Sequence, residues 1–172
     1  VPQPIAIQKN VLVMDYLGTE SQPSPKLRDV KIDHPKAVYD EMLEFLAVSW
    51  QKAELVHGDF SPFNILWHGN SPIVIDVGQG VVQHHPKAKE FLVRDVTRLV
   101  EWANKNGLDI ELANAMYDVL EMDLSHVVER TEDNPYYQTS HTNKNKPWPS
   151  INRPEGRLVG KKNIDGRFKS NF

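Results

Sequence analysis

The sequence predicts an α+β fold, mostly helical, with one short β-hairpin, a leading strand ahead of it and a disordered tail. Three observations predict it. Short apolar runs of strand length open the chain and recur around residues 55–56, 65–67 and 73–75. Longer stretches repeat apolar residues at helical spacing. After Leu124 the apolar residues thin out, and Pro135, Pro147, Pro149 and Pro154 stand among Asn, Lys, Ser, Thr and Gly. Such a composition buries too little surface to offset its ordering entropy.

Taken in order, residues 5–7 and 11–14 read as core strands that end at Gly18 and the Pro-rich turn 21–25. Pro35 suits a first helical turn. Val38, Met42, Phe45, Leu46, Ser49, Trp50 and Ala53 then recur on one face, which predicts a helix over about 36–53. Residues 64–67 and 73–75 flank Gly69-Asn70-Ser71-Pro72 and predict the hairpin. Pro86 opens a second helix whose face is Phe91, Leu92, Val96, Leu99, Val100 and Ala103, stopped near Gly107. A third helix follows over roughly 110–121.

Composition narrows the function classes. Among 172 residues there is no Cys, which removes disulfides, thiolate metal sites and cysteine nucleophiles and favours a reducing, cytoplasmic setting. No run reaches the length of a membrane span and no signal peptide opens the chain. Residues 1–124 carry 11 Lys+Arg against 18 Asp+Glu, a balance of −7, whereas residues 125–172 carry 9 against 5, a balance of +4. With no His-x-x-His pattern, the His84-His85 pair is poor ground for a zinc site. His57 is expected to brace its loop, and His85 to support a helix start.

The chemistry concentrates where strand patterns stop. Asp59 follows 55–58, Asp76 follows 73–75, and Asn64 lies five residues beyond Asp59. Each alone suits a turn or a cap. Together, at this spacing, they place two carboxylates and an amide oxygen at one rim, the hard oxygen ligands that Mg²⁺ takes when it also holds phosphate. The order Asp, four residues, Asn, then Asp before Gly is that of phosphoryl-transfer sites, with the first Asp as base and the other two residues on the metal.

Residues 10–18 (Asn-Val-Leu-Val-Met-Asp-Tyr-Leu-Gly), 25–30, 55–64, 75–79, His85-Pro86, Phe91-Leu92 and Arg94-Asp95 together resemble the C-terminal lobe and hinge of RIO-family atypical serine/threonine protein kinases, most nearly the first RIO subfamily and its archaeal relatives. The resemblance implies a protein-kinase-like C-lobe over 21–124, the end of an N-lobe strand and the hinge over 1–20, and a basic tail over 125–172. It implies ATP and Mg²⁺ as ligands, Asp59 as the catalytic Asp, and Asn64 and Asp76 as metal ligands. Asp76 is also implied to accept phosphate transiently. Met14 would be the gatekeeper, the backbone of Asp15 and Leu17 would meet adenine, and Ser61 would support the nucleotide-side loop. The implied partner is the pre-ribosomal small subunit or its RNA, with neither membrane nor DNA involved.

Several features cut across the resemblance. Pro62 stands where RIO sequences often carry an acid and is similar to aminoglycoside-type phosphotransferases; Gly78 and Gly80 replace small polar residues. Only eight residues separate Asp76 from His85, too few for an activation loop with Ala-Pro-Glu, so a general peptide kinase is not expected. No Gly-rich loop, strand Lys or partner Glu precedes the hinge, and the chain opens at Val1 without an initiator Met. A fragment lacking the phosphate-covering lobe is therefore expected, with poor ATP turnover of its own. A small-molecule phosphotransferase and an inactive scaffold remain the alternatives.

Overall fold

A computed structural model describes residues 1–127. Three helices pack against one another and against short antiparallel strand pairs, the α+β arrangement expected. No described helix is long and apolar enough to cross a membrane. Expectations for the tail beyond Val127 lie outside the described residues.

The chain opens with β1 (Pro4–Gln8) and β2 (Val11–Met14), paired antiparallel through a turn in which Lys9 takes a positive φ. These are strands, as expected, but not core strands: Ile5, Ile7, Val11, Leu12, Val13 and Met14 are all exposed. An apolar run reports strand preference, but burial needs a covering layer, and among the described residues this two-stranded pair has none on either face. Past Gly18, where an added Cβ would fall 2.4 Å from the Gln22 carbonyl oxygen, the chain closes a tight loop and docks onto the hairpin. The Trp67 amide donates to the Pro25 carbonyl and Ser24 Oγ bonds His68 Nδ1.

Helix α1 (Pro35–Gln51) begins with Pro at its first position, as expected, but its buried face is Val38, Tyr39, Met42, Leu43, Leu46 and Ala47. Phe45 and Trp50 are half-buried on its flank and Ala53 lies beyond its end, so the expected face was rotated. The rotation follows from the neighbours, because α1 meets two helices and two strands at once. Strand β3 (Leu55–Val56) pairs antiparallel with β6 (Val81–Val82), while β4 (Ile65–His68) and β5 (Ser71–Val74) form the hairpin. Its two-residue turn, Gly69-Asn70, has positive φ at both positions, as a primed turn demands. Helices α2 (Ala88–Lys105) and α3 (Leu112–Glu121) complete the core, α2 burying Leu92, Val96, Leu99, Val100 and Ala103. Asp95 sits within that apolar stripe, fully buried.

Candidate active site

The loop after β3 is built around an inward-facing aromatic. Phe60 is buried, stacks on Phe45 at 6.0 Å and meets the His57 ring edge-on at 5.8 Å, so residues 57–60 are anchored in the core while Asp59 stays at the surface. His57 braces the loop as expected. Its Nε2 donates to the Ile75 carbonyl (3.1 Å) and its Nδ1 accepts the Asp59 amide (3.3 Å), tying this loop to the one that carries Asp76. Gly58 has φ +78°, and a Cβ there would lie 2.9 Å from the Gln79 carbonyl oxygen. The two loops approach this closely only because position 58 lacks a side chain.

Helix α2 holds the loop with three residues, Arg94, Asp95 and Arg98, that together span about one turn. The Asp95 carboxylate accepts the Gly58 amide (2.7 Å) and the Phe60 amide (3.0 Å). Burial pushes its carboxyl up, opposed by those two N–H groups and by His57 and Arg94. Arg94 donates to the Gly58 carbonyl and lies over the Phe91 ring at 4.8 Å. Arg98 Nη1 donates to Asp59 Oδ1 at 2.7 Å. That bond, with Asn64 and His57 adding to it and desolvation opposing, holds the Asp59 carboxyl below the usual carboxylate range.

Asn64 and Asp76 differ from Asp59 in what their oxygens do. Asn64 Nδ2 donates to both the Asp59 carbonyl and Asp59 Oδ2, each at 2.9 Å, so its amide nitrogen is committed and Oδ1 is turned to the other side of the same planar group. Among the described residues no donor reaches Oδ1. Asp76 is exposed, follows β5 in the left-handed region (φ 60°, ψ 58°), and its carboxylate has no hydrogen bond or ion pair among the described residues. The left-handed backbone costs a non-glycine residue about 1–2 kcal/mol, least for Asp and Asn. The Ile75 amide donates to the Asn64 carbonyl at 2.9 Å, which fastens the two positions together. Two hard oxygen donors without protein partners suit Mg²⁺, which takes few protein ligands and completes its shell with water and phosphate. Among the described residues no three His, Cys, Asp or Glu side chains group as a metal site, so a cation here would rest on this Asn–Asp pair.

The structure thus brings Asp59, Asn64 and Asp76 together through loops that leave strands of two different pairs, rather than the ends of one hairpin. Ser61 lies beside them, its carbonyl accepting the Asn64 amide at 2.9 Å, and it lines a cleft of about 790 Å³ with Asp59, Phe63, Arg98 and Trp102. Asn64, Asp76, Met14, Asp15 and Leu17 do not line that cleft. Met14 is exposed at the end of β2, the Asp15 amide donates to the Gln3 carbonyl, and the Leu17 carbonyl accepts the Ser24 amide. His85 supports the start of α2, its Nδ1 accepting the Lys87 amide at 3.2 Å. Neither the Arg98–Asp59 bond nor the full burial of Asp95 was anticipated. The signal for Asp95 was available: it falls three residues after Leu92 and four before Leu99, on the apolar stripe.

A family model described as the RIO domain matches residues 1–117. The chain is 37% identical over 118 residues to the RIO-type serine/threonine-protein kinase Rio1 of Haloferax volcanii, covering 69% of this chain and 40% of that protein. It is 33% identical over 119 residues to the human serine/threonine-protein kinase RIO1, covering 68% and 21%. The crystal structure of the Rio2 kinase from Chaetomium thermophilum superposes with a TM-score of 0.51 at 25% identity, over 71% of this chain and 40% of that one. The chain therefore spans less than half the length of these relatives. With the family model matched over residues 1–117, the chain belongs to the RIO kinase family.

Proposed function

We propose that this chain supplies the catalytic lobe of a Mg²⁺-dependent RIO-type kinase or ATPase. The observation that carries the reading is the division of oxygens: both Asp59 oxygens have protein donors, whereas Asn64 Oδ1 and the Asp76 carboxylate have none among the described residues. Asn64 and Asp76 would hold Mg²⁺, whose charge offsets that developing on the phosphate oxygens. Asp59, fixed by Arg98 and Asn64, orients the attacking hydroxyl or water and takes its proton. In the ATPase cycle an Asp76 oxygen bonds the γ-phosphorus as the bond to the β,γ-bridging oxygen breaks and ADP leaves. Water then cleaves the acyl phosphate.

Met14, Asp15 and Leu17 would meet the adenine from the hinge, with 1–20, 21–124 and 125–172 as hinge, lobe and tail. The +4 balance of residues 125–172 suits a tail that meets RNA phosphates, with the pre-ribosomal small subunit as the partner that the family resemblance implies. The test joins this chain to an upstream lobe carrying a Gly-rich loop and a strand Lys. Mg²⁺-dependent ATP hydrolysis and a hydroxylamine-labile phosphoryl label are expected, and Asp76→Asn should abolish both. Hydrolysis undiminished in Asp76→Asn would remove Asp76 from the reaction.

A further inference from the structure

We infer that the cleft beside Asp59 is the acceptor site, and that Arg98 selects an acceptor polypeptide carrying an acidic side chain close to the phosphorylatable hydroxyl. This rests on the reading of Asp59 as the acceptor-facing carboxylate. Arg98 uses only Nη1 on Asp59; among the described residues Nε and Nη2 have no partner, and the side chain is 36% exposed on the cleft wall. A guanidinium offers five N–H donors in a planar fork, so it can keep Asp59 while taking a second carboxylate. Lys105, two turns further along the same face of α2, lines the cleft as well and has no ion-pair partner among the described residues. Arg28, which also lines the cleft, bonds Asp29 through Nε at 2.8 Å and lies over the Phe63 ring at 4.4 Å, so it adds a second partly engaged guanidinium to the cleft.

The other wall groups decide between an acidic peptide and a nucleic acid. Asp29 and Glu101 also line the cleft, and a phosphate backbone with a charge at every step would be driven against them. Leu27, Pro62, Phe63 and Trp102 supply apolar surface between the charges. A peptide places one carboxylate at Arg98 and apolar or neutral groups elsewhere.

The full 172-residue chain is titrated with the peptide Ala-Ala-Glu-Ser-Leu-Ala-Ala and with its Gln-for-Glu counterpart, with no nucleotide present. Binding is read from ¹⁵N shifts of the Arg98 side chain and of backbone amides 98–105. The Glu peptide should bind at least tenfold more tightly than the Gln peptide. Arg98→Gln should erase that preference, and Asp59→Asn should leave binding as tight or tighter, because the carboxylate that competes for Arg98 has gone. A merely structural Arg98 would make both variants weaken binding alike. Equal binding of the two peptides, a preference that survives Arg98→Gln, or displacement of the peptide by an oligouridylate that shifts the same amides would overturn the proposal. If Arg98→Gln does not fold, the two wild-type titrations decide alone. Because no ATP is used, a failure here is separate from a failure of the Asp76 chemistry.

Discussion

Asp95 shows how one residue sets the position of another's chemistry. Among the described residues its carboxylate is the only side chain that receives the Gly58 and Phe60 amides, and both lie in the core. Asp95→Ala would leave two buried donors unpaired, each costing about 1–3 kcal/mol, so a loss of about 2–6 kcal/mol is expected. Urea unfolding with an unchanged slope measures it; a loss below about 0.5 kcal/mol would mean that water or a shifted loop replaces the carboxylate. At this scale the reactive residues were legible and their supports were not. Asp59, Asn64 and Asp76 declare themselves by spacing within 18 residues of sequence. Asp95 and Arg98 lie more than 30 residues away from the loop they hold, and only the packing of α2 brings them to it.

Among the elements, the long periodic segments were read well because a helical stripe fixes both the type and the approximate ends of a helix. Two-residue strands carry no period. The β3–β6 pairing was therefore invisible although it sets the separation of the two loops. The β1–β2 pair was read as strand but misjudged as core, since apolar residues alone do not say what covers them. Helix α1 also yields a pH prediction. Burial, with Asp118 and Asp40 adding to it, pushes the Tyr39 phenol from 10.0 up to about 12. A raised folded value means the stabilisation is complete below pH 10.0 and is lost as pH rises toward 12. The wild-type thermal midpoint should fall across that window, and Tyr39→Phe should fall less. Parallel falls in the two proteins would show that Tyr39 titrates freely.

For the molecule as a whole, the core of α1, α2 and α3 serves as a platform on which two loops are fastened back to back. One loop carries a carboxylate whose oxygens are already engaged; the other, with Asn64 between them, offers oxygens that are not. The direct check is the affinity of the full chain for Mn²⁺ in the presence of ADP, read by electron paramagnetic resonance, for the wild type, Asn64→Ala, Asp76→Asn and Asp59→Asn. If the engaged and unengaged oxygens have the roles assigned here, Asn64→Ala and Asp76→Asn each lose at least tenfold in Mn²⁺ affinity while Asp59→Asn stays within about twofold, a spread of at least about 1 kcal/mol. A loss in Asp59→Asn as large as that in Asp76→Asn, or no loss in any variant, would contradict the division of labour between the two loops.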